Sequence, residues 1–135
     1  MELCNGSGAP VDLQNFKLSD GTNTLAIANS NTSLNTGAFA ILVKSNGVIQ
    51  QCLNGNVNGA VTVNLGAQVN LNTNLLRLLD ANDVVIDTIE WNGVTGLEPS
   101  TDESIERDPT GLDSATGTNF APSDFVVRTT PTPGL

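Results

Sequence analysis

Short apolar runs alternate with turn signals along the whole chain, the pattern of a sheet protein with many connections. "AFAILVK" (38–44) is the most apolar run and predicts a buried strand. "LLRLL" (75–79), "VVIDTIEW" (84–91) and "DFVVR" (124–128) predict three more. Shorter strands are expected over Glu2–Asn5, Phe16–Ser19, "TLAIA", "VIQQCL" and Ser104–Arg107. The polar region 54–74 holds one or two weak strands. No segment carries the i, i+3, i+4 repeat of an amphipathic helix. Asn-Gly pairs at Asn5-Gly6, Asn46-Gly47, Asn54-Gly55, Asn58-Gly59 and Asn92-Gly93 mark turns, because both residues tolerate positive φ.

Between "LLRLL" and "VVIDTIEW" lies Asp80-Ala81-Asn82-Asp83, three oxygen-bearing side chains in four residues. A calcium loop starting at Asp80 requires an oxygen ligand at its fifth position, glycine at its sixth and glutamate at its twelfth. Those positions hold Val84, Val85 and Trp91. The segment therefore reads as the turn of a β-hairpin, at Asp80 to Asp83. Leu78, Ile86 and Ile89 are expected in the core. Ile86 and Ile89 stand three apart, so a β-bulge near Asp87-Thr88 is needed to send both inward. Trp91 then covers one edge of the core.

Composition narrows the chemistry. The chain has 135 residues, suiting a single domain over 1–135. Charged residues are only 14%, so Asn, Thr, Ser and Gly must build the surface, and these are poor helix formers. Net charge is −9, and the five basic residues Lys17, Lys44, Arg77, Arg107 and Arg128 are scattered. Nucleic-acid binding needs clustered cations to displace counterions, and this chain has none. There is no histidine, which removes Ser-His-Asp, Cys-His and His-ligated zinc sites. No apolar run approaches the roughly 20 residues of a membrane-spanning helix, so no membrane insertion is expected. The chain opens in mid-strand at "MELCN", so it is expected to be a fragment of a longer chain.

The order "LLDANDVVIDTIEWNG", "SIERDPTG", "TPTPG" resembles the lamin tail domain, or intermediate-filament tail domain, in its bacterial form. "ELCNGSGAPVDLQNFKLSDG" is similar to that family's opening, W-[IV]-E-L-x-N followed by P-V-D-L-x-G-W-x-L-S-D. The resemblance covers nearly the whole chain. It departs in lacking the family's first strand and in placing Cys4 where an aromatic is usual. The resemblance implies an immunoglobulin-like β-sandwich. It also implies an accessory or interaction module, of the kind appended to secreted or surface bacterial proteins, without catalysis of its own.

The acidic segment Glu98–Asp113 is the strongest place to look for further chemistry. Glu103, Glu106, Asp108 and Asp113 can pair as general acid and base, or hold calcium. The structural reading is a solvated loop and strand edge with Arg107 paired to a carboxylate. Trp91 can stack on a sugar, but such platforms use several aromatics and this chain has 4%. Cys4 and Cys52 are either a disulfide or two free thiols. The expectation is an all-β, non-catalytic accessory or protein-interaction module, secreted or at the cell surface. Its partner is a protein or cell-envelope component. No catalytic, cofactor-binding or metal-binding residue is assigned, and no cofactor is implied. The alternative is a calcium-dependent adhesion or carbohydrate-binding module.

Overall fold

A computed structural model describes residues 1–28, 30–43, 61–64, 75–91, 94, 97–101, 103–107 and 120–130. Among the described residues eleven strands follow in chain order: β1 Glu2–Cys4, β2 Val11–Asp12, β3 Lys17–Ser19, β4 Thr24–Ala26, β5 Ser33–Leu34, β6 Phe39–Val43, β7 Val61–Asn64, β8 Leu75–Leu79, β9 Val85–Glu90, β10 Ser104–Arg107 and β11 Phe125–Arg128. One 3₁₀ turn, Pro122–Asp124, precedes β11. The protein is all-β, as the alternating pattern requires.

Two larger sheets carry the fold. One has the order β1-β6-β7 and the other β4-β3-β8-β9, with two-stranded ribbons β2-β5 and β10-β11 beside them. Among the described strands every pair is antiparallel except β6-β7, which is parallel. Leu18 of β3, Leu42 of β6 and Leu76 of β8 meet Ile27 in one buried cluster. Leu3, Phe16, Leu78, Ile89 and Trp91 close around it. The two larger sheets thus share a core, as the layers of a β-sandwich do. Leu18 and Leu42 are completely buried, each worth roughly 1.5–3 kcal/mol against exposure. A second cluster of Leu13, Leu34 and Ala40 continues from the first through Leu3 and Phe16.

β6 is buried at three successive residues, Ala40, Ile41 and Leu42. Strict alternation would expose one face, so a continuous run means cover on both sides. Its edges are paired as well, since it lies between β1 and β7. β3 ends as expected at Asp20-Gly21. Gly21 has φ +85°, and the buried Asp20 carboxylate accepts the amides of Thr22 (2.9 Å) and Asn23 (2.6 Å). A side chain at position 21 would also crowd Leu75 Cδ2, 3.2 Å from an added Cβ.

The core assignment is corrected at Ile86. The β8-β9 register runs Leu78↔Asp87 and then Leu79↔Val85, so Ile86 is the extra residue of a β-bulge. The bulge lies at Ile86, just before Asp87-Thr88, and it turns this side chain outward, leaving it 41% exposed. Ile89 and Leu78 remain packed against the main cluster, and Trp91 covers its edge. Two short strands fall where none is predicted: β2 lies in "VDL" and β5 in the polar stretch "NTSLN". The predicted strand "VIQQCL" lies outside the described residues.

Candidate functional site

The turn between β8 and β9 holds the densest group of oxygen ligands in the hairpin. Asp83 N–H donates to Asp80 O (3.2 Å), and Asp80 N–H donates to Val84 O (2.9 Å). Asp83 has φ +67°. This is a three-residue loop ending in a left-handed residue, within the turn expected at Asp80 to Asp83. Asp80 Oδ1 accepts the amides of Asn82 (2.8 Å) and Val84 (2.9 Å). The bond from Val84, helped by the bonds from Asn82 and the Lys17 charge, holds the Asp80 carboxyl below its ordinary pKa. Asp83 pairs with Lys17 of β3, tying the loop to the neighbouring hairpin. Asp80 and Asp83 therefore serve the backbone and a cation already in the chain.

Other carboxylates are used in the same way. Asp12 Oδ1 accepts the amides of Gln14 (3.0 Å) and Thr32 (2.8 Å), and its Oδ2 accepts from Asn31 Nδ2 (3.1 Å). This clamps β2 to the segment entering β5. In the acidic segment, Glu103 Oε2 accepts the Ser100 amide (2.7 Å) while Glu103 N–H returns a bond to Ser100 O (3.2 Å). Glu106 accepts a hydrogen bond from Ser104 Oγ (2.7 Å). Asp108 and Asp113 lie outside the described residues.

Arg107 is the centre of this region. Its guanidinium lies 3.4 Å from Asp87 on β9 and 3.7 Å from Asp124. It also stands over the Phe125 ring at 4.6 Å from the centroid, and Phe120 packs against that ring at 5.3 Å. A planar guanidinium suits both the ion pairs and the ring face. Asp124 is only 5% exposed, so its charge needs such a partner. Arg107 thus joins the β10-β11 ribbon to β9. The expected Arg107–carboxylate pair is present. The role of Asp124 was not foreseen, because "DFVVR" reads as a strand from its first residue. The available signal was Pro122, which fits the start of a helical turn.

No protein-family model, curated protein or solved structure matches this chain.

Among the described residues, no group of three or more acidic or cysteine side chains is placed to hold a metal ion. A cavity of about 30 Å³ lies between β1, β8 and β9, lined by Met1, Leu3, Leu76, Leu78, Asp87, Thr88 and Ile89. That is the space of a water molecule, far below the roughly 300 Å³ at which ligand pockets begin. Trp91 is half-buried on the main core rather than standing free on the surface. Cys4 is exposed on β1, and Cys52 lies outside the described residues.

Proposed function

We propose that this chain is a non-catalytic accessory or protein-interaction module of a secreted or cell-surface bacterial protein, an immunoglobulin-like β-sandwich of the lamin-tail kind. The observation that carries the reading is how the carboxylates are used. Asp12, Asp20 and Asp80 each direct an oxygen at two backbone amides. Catalytic or metal-binding carboxylates instead converge on a shared point in a cleft. The absence of histidine supports the same reading, since acid–base work near neutral pH most often falls to that residue. The family, the location and the bacterial setting rest on the sequence resemblance. The test is a screen of the purified chain against esterase, nuclease, protease and glycosidase substrates. Background rates throughout are expected. A reproducible activity abolished by Glu103→Gln or Glu106→Gln would overturn the proposal.

A further inference from the structure

Asn5 begins an Asn-Gly pair, yet it is one of the few buried polar residues, 7% exposed. Every polar atom it has is engaged. Its amide N–H donates to Ala38 O (3.0 Å), and its carbonyl accepts from Gly37 N–H (2.8 Å). Nδ2 donates to Ala9 O (3.0 Å) and Leu34 O (2.8 Å). Oδ1 accepts from Ser7 N–H (3.0 Å) and Ser7 Oγ (2.7 Å). The carboxamide thus uses both donors and both acceptor positions. It joins the end of β1, the turn at 7–9 and the end of β5.

We propose that Asn5 is a guarded modification site, at which opening of the N-terminal segment becomes an irreversible covalent event. Asn-Gly pairs are prone to cyclise because glycine leaves its own amide unobstructed. The Gly6 nitrogen attacks Asn5 Cγ, the new N–Cγ bond forms and the Cγ–Nδ2 bond breaks. Ammonia leaves, carrying the proton lost by the Gly6 amide. Water then opens the succinimide at either carbonyl, giving aspartate or isoaspartate. No oxidant or reductant takes part. In the folded protein the carboxamide is held by four hydrogen bonds, so it must first leave all of them. Cyclisation then proceeds only from locally opened molecules.

The product does not fit the site it came from. Aspartate has no N–H to offer Ala9 O and Leu34 O, and it sets a carboxylate oxygen against two carbonyl oxygens. Isoaspartate adds a methylene to the main chain, which displaces the register beyond β1. Modification therefore converts transient opening into lasting loss, a route to irreversible unfolding.

The test follows position 5 by site-resolved mass spectrometry of the tryptic peptide ending at Lys17, at mildly alkaline pH. Native protein is compared with protein held in denaturing urea. The native rate is expected to be at least about tenfold lower, as an opening equilibrium imposes. After urea is diluted away, the converted fraction should melt at lower temperature than the unconverted one. Gly6→Ala gives the second arm. A Cβ there meets nothing within 4 Å, so the variant keeps the fold, while its methyl group hinders cyclisation. It should stay amidated at position 5 in urea. Equal native and denatured rates would overturn the proposal, as would a converted fraction that melts like the original.

Discussion

Asp83 illustrates how one residue can look like a ligand and serve as a turn residue. Its positive φ costs most residues with a Cβ roughly 1–2 kcal/mol, aspartate less than most, and glycine nothing. Its ion pair with Lys17 is 62% exposed on the aspartate side, where such pairs contribute about 0–1 kcal/mol. Glycine removes the strain and loses the weak pair, so Asp83→Gly should leave the urea midpoint unchanged or raise it slightly. Asp80 behaves differently, because two amides depend on its ionised carboxylate. Its folded-state pKa is lowered, so its contribution to stability is complete above the unfolded aspartate value of about 3.9 and is lost as pH falls through the lower folded value. Urea midpoints measured down that acid range should fall less steeply for Asp80→Asn than for the natural protein. Equal slopes would mean that the carboxylate is not what holds the turn.

At the scale of elements, the sequence was most legible where packing and pattern agree. β6, β8 and β10 lie where their apolar runs or flanking turns put them, because short apolar runs bounded by turn residues are too short for helices and suit half-buried strands. β2 and β5 were not legible. Each is two residues long and set in polar sequence, and the Asp12 clamp that brings them together acts between residues distant in the chain. The candidate site was half legible for a similar reason. The Arg107 pair could be anticipated from local charge, but the burial of Asp124 depends on how the β10-β11 ribbon meets β9. The bulge shows the limit of periodicity: the spacing of Ile86 and Ile89 demanded an irregularity without saying which isoleucine it would expel. A pair of truncations checks the result. Ile89→Ala should cost about 2 kcal/mol or more, as for a packed core isoleucine, while Ile86→Ala should stay within about 0.5 kcal/mol. Reversed magnitudes in urea denaturation would move the bulge.

Across the whole molecule, acidity and calcium have to be considered together. A net charge of −9 attracts divalent cations weakly and diffusely, whereas a built site stabilises through mass action. Calcium at 100 times its dissociation constant would add about 2.7 kcal/mol, enough to raise the melting temperature of a domain this size by several degrees. No such shift is expected between EDTA and millimolar calcium. A rise abolished by Asp83→Gly would place a site in the β8-β9 loop. A rise that survived it would point to the acidic segment and favour the adhesion-module alternative.

The pairing of β3 with β8 has a consequence for how the protein is made. β3 is synthesised early, but apart from the short β4 its partner is β8, which begins only at Leu75. Contacts so distant in sequence form late, because the intervening chain must first be gathered. A nascent chain leaving the ribosome therefore carries Leu18 and Ile27 without the cover of Leu76, Leu78 and Ile89 until β8 and β9 have emerged. Stalled chains ending before Leu75 should be cut readily by protease and held by chaperones. Resistance should arrive in one step once β9 is clear of the exit tunnel.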